Sequence, residues 1–281
     1  MKKPLIVEIR HHTGFDYAEA VRTSYNEARM TPVSDATQLV RRSKLQVTPA
    51  VNHGRYVDYF GTEVISFEIT EPHRRLVVEA NSLVERRPVG LGEEIEVENL
   101  QTPAISERYV EYLTPTERST LDAQSVDAAR AGAPQSVHAL AEHVADFIRS
   151  HMAYLPGATS VSSTAQDSWN ARAGVCQDMT HVMVAMLRSF GIPARYVSGY
   201  LYPATSIEPD LAIAGESHAW VEYFAGTWCG IDPTNGLRET ERHIIVARGR
   251  DYDDVPPLKG VYDGTGSTQL GVEVEMTVRS V

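Results

Sequence analysis

The chain has 281 residues, 42% hydrophobic and 22% charged, enough for one large domain or two ordinary ones around a sizeable core. Its net charge of −11, with no Lys/Arg run beyond pairs such as Arg41-Arg42, repels a nucleic-acid backbone and excludes that partner class. Two cysteines, Cys176 and Cys229, are too few for a disulfide framework or a thiolate zinc site, so at least one is free to be structural or reactive.

The opening Met1-Lys2-Lys3 is basic, but the apolar stretch behind it breaks at Glu8 and Arg10. That is too short for a secretory leader, and no later stretch reaches transmembrane length, so a cytoplasmic protein with no membrane partner is expected. The first hundred residues are β-rich. Ile65, Phe67 and Ile69 alternate with Ser66, Glu68 and Thr70, and Leu5–Ile9 and Leu76–Ala80 are further runs of strand type. An all-β, sandwich-like domain is expected over residues 1–102, and a second domain over 103–281.

The pattern changes near Thr102-Pro103. Residues Asp122 to Pro134 suit a surface helix and loop. From Ser136, Val137, Leu140, Ala141, Val144, Phe147 and Ile148 form the stripe of an amphipathic helix. Thr164-Ala165-Gln166-Asp167 fits a capping box that starts a short helix carrying Trp169. The next helix is predicted from Cys176, with Met179, Val182, Met183, Met186, Leu187 and Phe190 on one face. Val184 and Ala185 widen that stripe until the middle is apolar nearly all round, which suits the centre of a domain. Gly191 and Pro193 stop it. Strands are expected at Arg195–Tyr200, Ala219–Phe224, Thr227–Ile231 and His243–Ala247. A last strand alternates Val272, Val274, Met276 and Val278 with polar neighbours.

Cys176 lies where a loop becomes the central helix. Unpaired backbone N–H groups and the positive end of the helix dipole there favour a thiolate, although plain core packing is the alternative. Asp178 opposes the thiolate unless it turns away to cap the helix. Phe224-Ala225-Gly226 suits a three-residue hairpin loop, with Tyr223 and Thr227 as its closing pair. In that register His218 faces Asp232 directly, close enough for a carboxylate to accept the imidazole N–H and leave the other nitrogen for a thiol. A one-residue slip in the loop would alter this pairing.

Other residues carry weaker readings. His181 is five residues beyond Cys176, about 140° around a helix, so the two should not share a metal. No H-E-x-x-H spacing appears, and Asp251–Asp254 lacks the spacing of a calcium loop, so neither metal nor cofactor is expected. The acidic run suits a solvated loop, or else a substrate-facing rim. Cys229 should pack in the core, facing opposite to Asp232. Trp220 shares strand parity with His218 and is a candidate to line the site.

Four segments resemble the bacterial transglutaminase-like superfamily: Gly174-Val175-Cys176-Gln177-Asp178, the helix end Leu187–Tyr200, Ser217-His218-Ala219-Trp220-Val221-Glu222, and Asp232-Pro233-Thr234-Asn235. The likeness continues through Gly249–Pro257, and the amino-terminal part is similar to the β-rich region that precedes the core in such proteins. The resemblance implies an α+β protein in which a papain-like transglutaminase core follows the all-β domain. It implies Cys176 as nucleophile, His218 as general base and acid, and Asp232 as the residue orienting it. The expected chemistry is attack on a carboxamide or peptide carbonyl through a thioester acyl-enzyme. Hydrolysis by a protease or amidase is favoured over protein-glutamine cross-linking, with a non-catalytic binding module or a metal-dependent hydrolase as weaker alternatives. The Cys176 backbone N–H is expected to stabilise the oxyanion, with Tyr154 or Gln177 as second donor. The expected partner is a protein or peptide substrate. The amino-terminal domain is a candidate for substrate binding or for the contact of a homo-oligomer.

Overall fold

In a computed structural model that describes residues 4–87, 90–203 and 207–279, the chain opens with six antiparallel strands. These are β1 (Leu5–Val21), β2 (Ser24–Ala28), β3 (Gln38–Thr48), β4 (His53–Val57), β5 (Glu63–Ile69) and β6 (His73–Arg86). β6 shows why: from Leu76 to Arg86 every second residue is buried, the period of a strand with one face in the core. β3, β6 and β1 are neighbours in one sheet, and β4, β5 and β2 in another. Leu45, Leu76, Val78 and Ala80 of the first meet Ala28, Ile65, Phe67 and Ile69 of the second in a shared core, as in a sandwich.

The α-helices begin after Thr102, whose side-chain oxygen caps the turn Pro103–Arg108. Asp122 caps a surface helix over Ala123–Arg130. The three helices that position the site are α1 (Val137–His151), capped by Ser136, α2 (Ala165–Ala171), opened by the expected capping box, and α3 (Cys176–Ser189). Every α3 residue from Asp178 to Arg188 is buried, which is what an all-round apolar middle demands. Gly191, at φ +79°, follows its end. One face of α3 meets Val144 and Ile148 of α1, and the core continues to Val221, Tyr223 and Ile231 of a second sheet.

That sheet contains β7 (Ala194–Leu201), β8 (Glu216–Ala225), β9 (Thr227–Asp232) and β10 (His243–Gly249), in the order β9-β8-β7-β10. Two further strands, β11 (Leu258–Tyr262) and β12 (Glu273–Val278), return to the amino-terminal part. β11 pairs with β2 from Leu258↔Ala28, and β12 with β1 from Val7↔Val278 to His12↔Glu273. A division at residues 102/103 therefore follows the change from strands to helices but not the pairing, because residues 258–278 complete both amino-terminal sheets. The alternation of β12 identifies a strand and its buried face. It carries no information about which open sheet edge will accept it.

The two parts are also clamped directly. Arg86, fully buried, donates from Nε to the backbone oxygen of His243 at 2.9 Å and forms an ion pair with Glu239. The Gln38 side chain donates to the Ile245 carbonyl at 2.8 Å and accepts from the Ile245 N–H at 2.9 Å. These contacts fix β10, and with it His243, against the β sandwich.

Candidate active site

Cys176 is the first residue of α3, where backbone N–H groups have no partner within the helix. Asp178 does turn away. Its Oδ2 accepts the Val175 N–H at 2.8 Å and the Thr159 hydroxyl at 2.7 Å, closing the helix start, and burial pushes its carboxyl above the usual range. Gly174 makes room for that turn, since a Cβ there would sit 2.6 Å from the Asp178 Cβ.

The hairpin of β8 and β9 turns at Gly226, φ +75°, but its register differs from the one expected. Ala225 pairs with Thr227 and Tyr223 with Cys229, so the strands are displaced by two positions from the predicted Tyr223–Thr227 closure. A left-handed glycine lets the loop close around a single residue. A shift of two preserves facing, so His218 and Asp232 remain on one face as diagonal neighbours. Their side chains meet: His218 Nε2 donates to Asp232 Oδ2 at 2.8 Å.

Asp232 is fully buried and heavily solvated by the protein. Its Oδ1 accepts the backbone N–H groups of Thr234 and Asn235, at 3.0 and 3.1 Å. Its Oδ2 also accepts the Asn235 amide at 2.8 Å and His243 Nε2 at 3.4 Å. Burial alone would raise its pKa, but the hydrogen bonds from His218 and His243 hold it far below the carboxylate range. For His218, burial works downward and is outweighed by the hydrogen bond to Asp232 and by the nearby Cys176 sulfur, so its pKa is pushed up to about 10. With Nε2 committed to Asp232, Nδ1 is the nitrogen left for the sulfur.

Cys176 and His218 line two adjoining cavities. The inner one, about 200 Å³, is walled by Tyr196, Ser198 and Tyr200 of β7, by Tyr252, and by His11 and Thr13 of β1. The outer one, about 290 Å³, is bounded by Tyr154, Gly215 and Glu216. The amino-terminal sandwich thus supplies part of the cleft.

The remaining sequence candidates separate clearly. Gln177 lies on the inner cavity, but its Nε2 is donated to the Val161 carbonyl at 3.1 Å. Tyr154 stands at the outer opening, its phenol raised by burial and by the neighbouring Cys176. Trp220, predicted as a candidate lining residue, borders neither cavity. It is fully buried with its ring stacked on His218 at 6.2 Å, because the inward face of β8 at that level is filled by β7 and β10. Cys229 is buried in the helix-facing core. His181 accepts the Tyr252 N–H at 3.1 Å from inside the core. The acidic run is engaged in pairings, with Asp253 still exposed to solvent: Asp254 pairs with Arg250, Asp253 with Arg118, and Asp251 accepts the Asp253 N–H.

His243 is the residue that sequence reasoning missed. β10 lies three strands from β9, yet the sheet curls enough to bring this imidazole to Asp232. Its Nδ1 accepts the Thr240 N–H at 3.2 Å, which fixes the proton on Nε2, facing the carboxylate. A lone histidine opening the apolar run Ile244-Ile245-Val246 was the available signal. Among the described residues, His218, Asp232 and His243 form the group whose donor atoms could converge on a metal ion; here they hydrogen-bond one another directly.

Comparison with known proteins gives two family matches. Residues 7–85 match the bacterial transglutaminase-like N-terminal region, and residues 124–233 match the transglutaminase-like superfamily. An uncharacterized protein of Mycobacterium leprae is 38% identical over 273 residues, covering 96% of this chain and 98% of its own. Another, from Mycobacterium tuberculosis, is 30% identical over 300 residues, covering 95% and 91%. A solved structure from Cytophaga hutchinsonii, described as a proposed cysteine protease, superposes with a TM-score of 0.80 at 20% identity. It covers 100% of this chain and 92% of that one, a likeness of fold.

Proposed function

The chain belongs to the transglutaminase-like superfamily, and from that premise we propose that it is a cysteine-dependent acyl-transfer enzyme acting on carboxamide or peptide bonds, with hydrolysis as its outcome. One observation carries the reading: a single buried imidazole lines the same cleft as the Cys176 thiol and donates to a carboxylate that accepts five hydrogen bonds in all.

In the proposed cycle, the Cys176 proton passes to His218 Nδ1 and the sulfur attacks the acyl carbon. Charge developing on the carbonyl oxygen is met by the Cys176 backbone N–H at the helix start. Gln177 already donates its amide to Val161, so Tyr154 is the better second donor. His218 then gives its proton to the leaving nitrogen, ammonia or an amine departs, and a thioester remains. Water, deprotonated by His218, attacks the thioester, releases the acid and returns the proton to the sulfur through the imidazole. Asp232 keeps the ring oriented and supports its charged state throughout.

Transamidation is the second reading. The outer opening beside Cys176, with Glu216 on its rim, gives an amine its own approach to the thioester. The substrate in both readings is a protein or peptide, and a cytoplasmic setting stays part of the proposal. Among the described residues, no helix is long and apolar enough to cross a membrane.

Incubation with a mixed peptide library, with and without an added primary amine, tests the proposal by mass spectrometry. Cleaved or deamidated peptides that are independent of the amine are expected. Amine-tagged peptides would favour transamidation, and an unchanged library under all conditions would contradict acyl transfer.

A further inference from the structure

We propose that His11 and Thr13 of β1 form a subsite for a neutral carboxamide unit of the acyl donor, next to the reacting bond; the inference rests on Cys176 being the nucleophile. β1 presents one row of alternate residues to the catalytic part. Val7 and Ile9 begin it, buried against Tyr196, Tyr200 and Ala219 in a cluster that Cys176 also touches. An apolar row should continue for as long as it faces a core. At the inner cavity it instead changes to His11 and Thr13, each 1% exposed.

Neither polar end is satisfied by the protein. His11 Nδ1 lies 2.9 Å from the Tyr200 hydroxyl, but its Nε2 has no partner, and neither has Thr13 Oγ1. Buried polar atoms are nearly always paired, because an orphan costs about 1–3 kcal/mol. Both residues wall the inner cavity, so a small turn of either side chain offers its orphaned atom to an occupant of the cleft. A carboxamide offers an acceptor and a donor in one planar group, which suits an imidazole nitrogen beside a hydroxyl in either tautomer.

Charge argues for a neutral occupant. Burial pushes His11 down to about 4, so its ring is uncharged at neutral pH. Arg29, also on the wall, spends Nε on Asp58 and Nη1 on Glu27, two carboxylates against one guanidinium. An incoming carboxylate would therefore meet a guanidinium whose charge two carboxylates already balance. The cavity is below the size range of sites for drug-sized ligands, so it fits one amide unit and not a long segment.

Four chloroacetyl probes of similar length test this: chloroacetylglycinamide, its N-methylamide, chloroacetylglycine, and N-propylchloroacetamide. In each reaction the Cys176 sulfur displaces chloride, the S–C bond replaces the C–Cl bond, and the thiol proton goes to His218. Rates are taken relative to methyl methanethiosulfonate, which carries no amide. Both amides, or the primary amide alone, should react about tenfold faster than the carboxylate and propyl probes, the effect of one well-made hydrogen bond. Equal rates for the two amides identify a backbone-type unit, and preference for the primary amide a side-chain unit. Thr13→Val, nearly the same shape, and Thr13→Val with His11→Phe should reduce the preference stepwise to about one. Equal rates for all four probes on the unaltered protein, or a preference that survives the double change, would overturn the subsite. Absence of selective reaction at Cys176 with methyl methanethiosulfonate would instead overturn the nucleophile.

Discussion

Replacing Cys176 with alanine is expected to lower turnover by about 10⁴-fold or more while leaving the thermal unfolding midpoint nearly unchanged. The size of the loss follows from the role. Without the sulfur no thioester forms, and what remains is binding plus whatever the helix-start N–H does for a direct attack by water. The small effect on folding follows from the site. Cys176 is only partly buried at a cleft, so deleting one sulfur opens no sealed core cavity. Cys229 provides the contrast, because it sits in the apolar core. Cys229→Ser should keep its activity and unfold earlier. Turnover of the same peptide by the two variants, with unfolding curves for each, checks the pair. Near-normal rates in Cys176→Ala would end the proposed chemistry.

Asp232→Ala should damage both activity and stability. Removing the carboxylate leaves His218 and His243 facing each other without an acceptor, along with the Asn235 amide and two backbone N–H groups. A loss of about 10³–10⁴-fold in turnover and of about 2–5 kcal/mol in stability is expected. The pH dependence is more diagnostic. His218 has a folded pKa raised from 6.5 to about 10, so its charged form stabilises the fold fully below about 6.5, and that contribution is lost as pH rises toward 10. Asp232 is depressed, so its contribution is present above the ordinary carboxylate range and is lost on acidification. Chemical denaturation across pH should therefore show an alkaline decline in the unaltered protein that is largely missing from Asp232→Ala, where burial dominates His218. Asp232→Asn keeps an acceptor oxygen, and should recover most of the stability and part of the rate, as in the Cys-His-Asn arrangements of papain-like enzymes. An alkaline limb that persists in Asp232→Ala would mean that the carboxylate does not sustain the imidazolium.

Much of this site was legible because local periodicity and local partners decide it. α3 declares itself through an apolar middle closed by Gly191 and Pro193, and Cys176 follows from where that helix must start. His218 and Asp232 are a hairpin apart, so facing could be worked out by parity. The error of two positions in register did no harm only because two is the strand period. What stayed hidden depends on contacts distant in sequence. His243 reaches Asp232 through the curl of a four-strand span, and no spacing rule encodes that curl. The return of β11 and β12 to the amino-terminal sheets is an edge pairing 230 residues or more away. The contribution of β1 to the cleft is hidden in the same way, because His11 and Thr13 look like ordinary strand residues until the opposite wall is in place.

The most direct test of the thiol–imidazole pair compares how Cys176 reacts with iodoacetamide in the unaltered protein and in His218→Ala. Its sulfur should be modified well before Cys229, because it opens onto the cleft while Cys229 is sealed in the core. In His218→Ala the modification should be distinctly slower at neutral pH, since no imidazole remains to take the thiol proton. Equal rates for the two proteins, or earlier modification of Cys229, would mean that the sulfur and the imidazole do not act together.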